Sequence, residues 1–326
     1  MTSSKETRSE TFAPGSHADR CAGAVLGGAI GDAMGHPTEF MSMSAIVASY
    51  GPAGVTGFEL WWERDGRRFA PYTDDTQMAE IVLRALLDAR ETGDDLDATM
   101  RRMAEGFVAW SERPQGGHRA PGNACLSGCR ALAAGAPWAE AGGETAGGCG
   151  SVMRAYPFGL VFGDDPERAE LWAAEHSKLT HRDPIALAAS SAMAVGIART
   201  LRDEPVEDVL DAMVTAAGRR CSRTAAMMAQ AIAEARGATS PDVTLDRLRG
   251  WAAHEAIAAA VYVVARHPTD ACAAILEGAN TPGDSDSIAT LAGALVGARI
   301  GLSGLPFDWV RDVERSDELL ALAARI

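Results

Sequence analysis

Glycine recurs at every fourth residue at Gly23, Gly27, Gly31 and Gly35, and again at Gly293, Gly297 and Gly301, within two segments that otherwise read as helices. That spacing keeps each set on one helix face, so each segment carries a stripe without side chains. Glycine in a helix interior costs about 1 kcal/mol relative to alanine. Such stripes are tolerated mainly where a second backbone must come close. The first and last long helices are therefore expected to pack tightly, and each other is one available partner. The alternative is glycine scattered by chance through an alanine-rich chain.

Apolar residues spaced three and four apart predict helices over residues 21–35, 76–90, 96–110, 124–134, 183–201, 205–217, 223–235, 253–265 and 287–301. Hardly any segment alternates with the period of a strand. Hydrophobic residues make up 47% of the chain but aromatics only 6%, which suits helices packed through small side chains. The expected fold is all-α, a single compact orthogonal multi-helix bundle. Residues 1–18 are polar and expected to be a disordered tail, and one helical domain is expected over residues 19–326, with no low-complexity linker dividing it. Loops rich in glycine, proline or charge fall at 51–72, 113–122 and 141–150, where chemistry is expected to sit.

A formal charge of −14 disfavours nucleic acid as a partner, and no basic stretch interleaved with aromatics argues otherwise. The six cysteines form no CxxC pair and read as reduced thiols of a cytoplasmic protein. The first eighteen residues lack an apolar signal core, and no run of eighteen apolar residues occurs, which disfavours secretion and membrane insertion.

Chemistry gathers on acidic clusters. Thr73, Asp74, Asp75 and Thr76 stand where a helix begins, and capping or complementing the helix dipole could explain them. Asp284, Ser285, Asp286 and Ser287 repeat the arrangement ahead of the second glycine-striped helix. Capping accounts less readily for two such clusters, because crowded carboxylates repel unless cations or donors neutralise them. Hard oxygen ligands of this kind suit Mg2+ or Mn2+. A third element ends the first helix with Asp32 and, after Pro37, Glu39. Asp32 is expected to bond a neighbouring helix terminus, since a buried charge must be paired.

In chain order, GAVLGGAIGDAMGHPTE (23–39), YTDDTQM (72–78), GCGSVMRAYPFGL (148–160), LTHRDPIAL (179–187) and GDSDSIATLAGALVGA (283–298) resemble the ADP-ribosylglycohydrolase family, over about residues 21–304. Each motif alone is weak; the TDD and DSDS elements with their flanks are specific in combination. The resemblance implies that Thr73, Asp74, Asp75, Asp284, Asp286 and Ser287 hold two Mg2+ or Mn2+ ions, with Asp286 bridging. It implies an acid/base role for Glu39, with Asp75 and Asp286 also in the catalytic set. Gly148, Cys149, Gly150, Ser151 and Met153 match a glycine-rich loop opening a helix, where backbone N–H groups receive a diphosphate. Many members carry asparagine where this chain has Cys149, so a side-chain bond to ADP-ribose would be missing. Cys149 reads as a small packed residue rather than a nucleophile, as nothing nearby lowers its pKa. His181 matches a substrate-contacting position, although a cap or packed histidine reads as well. Gly122 and Asn123 resemble another substrate-facing turn, with Asn123 as N-cap the plain alternative.

The resemblance implies hydrolysis of the glycosidic bond at the distal ribose of an ADP-ribosylated protein or small molecule, releasing ADP-ribose. A monomer is the simplest expectation. Two other readings stay open: a non-catalytic ADP-ribose-binding or crystallin-like member, and a two-metal phosphoesterase that would release AMP or phosphate instead.

Overall fold

A computed structural model of the chain describes residues 11–326. Helix α1 (His17–Gly35) and a 3-10 turn (His36–Thr38) lead to α2 (Met43–Tyr50), and a two-stranded hairpin, β1 (Trp62–Arg64) with β2 (Arg67–Phe69), precedes α3 (Asp74–Thr92). Then come α4 (Leu96–Glu112), α5 (Asn123–Ala133), a 3-10 turn (Cys149–Ser151), α6 (Tyr156–Val161) and α7 (Pro166–Ser177). α8 (Pro184–Leu201), α9 (Val206–Gly218), α10 (Ser222–Arg236), α11 (Pro241–Arg247), α12 (Ala253–Arg266) and α13 (Ala271–Ala279) follow. α14 (Ser285–Ile300), a last 3-10 turn (Leu302–Gly304), α15 (Phe307–Asp312) and α16 (Ser316–Ala323) complete an all-α architecture.

The two glycine-striped helices do pack on each other. They run antiparallel: Gly23 meets Gly297 and Gly301, Gly27 meets Gly293, Gly31 meets Ala289, and Gly35 meets Asp286. A Cβ at any of these four α1 glycines would collide with the α14 backbone, so no larger residue fits. α14 is buried on every side from Ser285 to Ala298, as a central helix must be. The antiparallel register sets the C-terminal end of α1 beside the N-terminal end of α14, and that crossing positions the site.

α8 is long and apolar enough to cross a bilayer, yet 78% of it is buried inside the protein; it is a core helix. A second apolar cluster joins α3, α4 and α7 through Met78, Phe107, Trp172 and their neighbours.

The expected tail is corrected for residues 11–18. α1 begins at His17, capped by Ser16, and Phe12 is only 8% exposed against the core. Asp19 ties this segment down: its carboxylate accepts from the Gly15 amide and from the Ser303 amide and hydroxyl, each at 2.9 Å. Polar composition concealed one aromatic anchor and one buried acceptor. Residues 1–10 lie outside the described residues.

Candidate active site

Asp32 is fully buried and binds the start of α3. One carboxylate oxygen accepts from the Thr73 amide at 2.8 Å; the other accepts from the Thr76 amide at 2.9 Å and its hydroxyl at 2.6 Å. This is the helix-terminus tie expected of it. Thr73 caps the same helix by accepting from the Asp75 amide at 3.3 Å. Capping is thus carried out by Thr73 and Asp32, which leaves the Asp74 and Asp75 carboxylates without that role.

The first turn of α14 meets them. Ser287 donates to the Asp75 carboxylate at 2.9 Å, and Asp286 accepts from the Ser287 amide, also at 2.9 Å. The Asp284 side chain makes no capping bond; it accepts from the Cys149 thiol at 2.7 Å. Ser285 faces the other way, donating to Gly35 O at 3.0 Å beside the buried Thr38 hydroxyl, and so buttresses the α1–α14 crossing. Glu39 follows the 3-10 turn, and its carboxylate, the Asp286 carboxylate and a ring nitrogen of His36 lie within 4.8 Å of one another. His36 is a site neighbour that the motifs did not single out.

Asp74, Asp75, Asp284 and Asp286 are each at most 6% exposed. Burial first, and neighbouring carboxylates second, push Asp74, Asp75 and Asp286 well above the usual carboxylate range. Burial also raises Asp32, Asp284 and Glu39. The neighbouring charges acting most on Asp74, Asp75 and Asp286 are all carboxylates: Asp32, Glu39, Asp284 and one another. An all-oxygen cluster of this kind, buried and mutually repelling, fits hard divalent cations.

The glycine-rich loop opens the 3-10 turn Cys149–Ser151, with Gly148 at its N-cap, and then the short α6. Ser151 is fully buried, its hydroxyl accepting from Ser177 at 2.8 Å, and Met153 is 2% exposed within the second apolar cluster, so neither side chain is free for a ligand. Gly148 and Gly150 keep the loop close to His181: a Cβ at Gly150 would strike its imidazole and the Cys125 sulfur. Cys149 joins loop to acidic cluster through Asp284, and burial followed by the Asp284 charge pushes its thiol well above the ordinary value. A thiol kept protonated in this way is a poor nucleophile.

His181 is 2% exposed. Burial, then the Arg154 charge, pulls its pKa down to about 3, so the ring is neutral. Arg154 donates to the Thr180 hydroxyl at 2.6 Å, and that hydroxyl lies 2.7 Å from His181 Nδ1. The Thr180 hydroxyl thus engages Nδ1, and Nε2 faces the Gly148–Gly150 loop. Arg154 itself is fully buried, lies over Phe107 at 4.4 Å and bonds His176 at 3.3 Å. The Asn123 alternative is corrected: Gly122 is the N-cap of α5, without a side-chain bond, and Asn123 is already helical and exposed. The next turn of α5 touches the loop, Cys125 Sγ lying 3.8 Å from Gly150 O.

Comparison with known proteins bears on this arrangement. The sequence pattern described as ADP-ribosylglycohydrolase matches residues 13–326. The chain is 28% identical to the ADP-ribosyl-(dinitrogen reductase) glycohydrolase of Rhodospirillum rubrum, across 94% of this chain and 97% of that protein. It is 27% identical to the ADP-ribosylarginine hydrolase Tri1 of Pseudomonas putida (strain GB-1), across 98% of this chain and 81% of that one. A solved structure described as an ADP-ribosylglycohydrolase-related protein complex shares the fold, with a TM-score of 0.64 and 24% identity over 95% of this chain and 97% of its own.

Proposed function

Since this chain belongs to the ADP-ribosylglycohydrolase family, we propose that it hydrolyses the glycosidic bond at the distal ribose of an ADP-ribosylated substrate, releasing ADP-ribose. The observation that carries this reading is the junction of two acidic clusters from distant parts of the chain, through Ser287 and Asp75 at 2.9 Å.

Two Mg2+ or Mn2+ ions would be held by Thr73, Asp74, Asp75, Asp284, Asp286 and Ser287; the buried, repelling oxygen set supports this. When bound, such ions orient water and the ribose hydroxyls and act as Lewis acids. The Gly148–Gly150 backbone would let phosphates approach, with His181 Nε2 beside it.

Glu39 stands beside Asp286 with its carboxylate raised by burial, the condition for a base that takes a proton from the attacking water. Water adds to the anomeric carbon as the bond to the acceptor breaks, and the bonding electrons leave with the acceptor, which then gains a proton. Positive charge developing on the ribose ring is stabilised by the surrounding carboxylates. Incubating the protein with ADP-ribosylated arginine and serine peptides, with Mg2+ or Mn2+ and with EDTA, tests the reading. Metal-dependent release of intact ADP-ribose is expected; release of AMP or phosphate, or full activity in EDTA, would overturn it.

A further inference from the structure

Two large aromatic side chains stand in solvent at the edge of the acidic cluster. Phe40 is 62% exposed and Trp251 44% exposed, and their rings stack with centroids 5.3 Å apart and planes inclined by 19°. Phe40 has φ 66°, in the left-handed region that bulky residues avoid. Its ring gains little burial to offset that strain, so packing alone does not account for it.

Both rings hang from segments fastened to one dipeptide. The Phe40 amide donates to Gly283 O at 2.7 Å, and the Gly283 amide to Met41 O at 3.1 Å. On the other side, the Asp284 amide donates to Arg249 O at 2.8 Å and the Ala253 amide to Gly147 O at 2.9 Å. Trp251 is thereby held between Asp284 and the glycine-rich loop, and Phe40 directly follows Glu39. The pair stands beside the carboxylates at which the glycosidic bond would break. Adenine, two riboses and a diphosphate away from that bond, would lie elsewhere.

We propose that Phe40, backed by Trp251, is an aromatic wall on the acceptor side of the site, selecting a planar cationic acceptor of the guanidinium type over an aliphatic hydroxyl. This rests on the hydrolase reading. A ring face attracts a guanidinium through its quadrupole, and the carboxylates alongside add attraction of the same sign. A serine-type acceptor has neither a plane nor a charge to use there.

The test measures kcat/KM for ADP-ribosylarginine and ADP-ribosylserine peptides with the full chain, and ADP-ribose affinity by calorimetry. Phe40→Gly removes the ring and relieves the backbone, Trp251→Ala removes its support, and Phe40→Trp keeps an aromatic face. The arginine-to-serine ratio of kcat/KM is expected to fall about tenfold in the first two and to be kept in the third, with ADP-ribose affinity unchanged. An unchanged ratio, or weaker ADP-ribose binding, which would put the wall under adenine, overturns the inference. So does a wild-type protein that cleaves only the serine linkage. If the wild type releases ADP-ribose from neither peptide, the hydrolase reading itself fails.

Discussion

Ser287 donates a hydrogen bond to Asp75 across 212 residues of sequence, joining the first turn of α14 to the first turn of α3. Around that bond four aspartates, each at most 6% exposed, are shut away from water. Entry of a positive charge would relieve the repulsion within such a cluster.

Asp286 tests this most directly. Asp286→Asn should cut ADP-ribose release by more than about 100-fold, beyond the cost of losing an outer partner of a metal ligand. In EDTA the variant should melt no lower than the wild type, because a repelled, buried carboxylate has gone. A drop of several degrees in differential scanning fluorimetry would make Asp286 structural instead.

Divalent ions should stabilise the folded chain. At a hundredfold excess over Kd, one bound ion adds about 2.7 kcal/mol, read as a rise in Tm on adding Mn2+ or Mg2+ to EDTA-treated protein. The double variant Asp75→Asn/Asp284→Asn should lose that rise. A wild-type Tm indifferent to both ions would remove the metals from the proposal.

For Glu39→Gln, turnover should fall by about 10² to 10⁴, the range for losing a general base. Affinity for ADP-ribose should hold within a few-fold. Equal losses in both would assign Glu39 to binding, and an unchanged rate would take it out of the chemistry.

His181 gives a pH signature. Its folded pKa is pulled down to about 3 from the ordinary 6.5, so between those values the unfolded chain binds the extra proton. Its contribution to stability is full above about pH 6.5 and is lost as the pH falls toward 3. Relative to the non-titrating His181→Gln, the wild type should lose about 2 kcal/mol between pH 7 and pH 5, measured by urea unfolding. A constant difference would mean that the ring charges freely in the folded protein.

Gly27→Ala separates propensity from packing. Propensity alone makes the variant about 1 kcal/mol more stable, but its Cβ would meet the Gly293 carbonyl, and overpacking costs about 1–3 kcal/mol or more. A net loss of stability is expected, together with reduced activity as α14 shifts. A more stable, fully active variant would show that the crossing yields.

Much of this frame was legible because its cues are periodic or local. The two stripes announced that each helix meets a close backbone, and Asp32 could be assigned to a helix terminus because a buried charge needs donors. The Asp65-Gly66 turn, with both residues at positive φ, is a strong local hairpin signal, yet the strands it joins are too short to show alternation. α7 went unread although Asp165 caps it ahead of Pro166, and α13 is too brief for its spacing to stand out. In the site, the aspartates were readable as clusters. His36 was not, since its nearness to Asp286 exists only once α1 lies on α14. Arg154 was invisible as a network centre because its partners Met78, Phe107, Cys125, His176 and Thr180 come from separate stretches of chain. Gly122 rather than Asn123 caps α5 because the chain turns helical at Asn123, one residue earlier than an asparagine cap there requires.

The pairing of α1 with α14 also bears on synthesis. A nascent chain emerging from the ribosome carries Glu39 early, but Asp286 beside it arrives only with α14, so α1 must wait with its bare glycine face uncovered. A product interrupted before that point would not be a weakened enzyme. It would be an unclosed one, exposing surface of the kind that chaperones and proteases recognise.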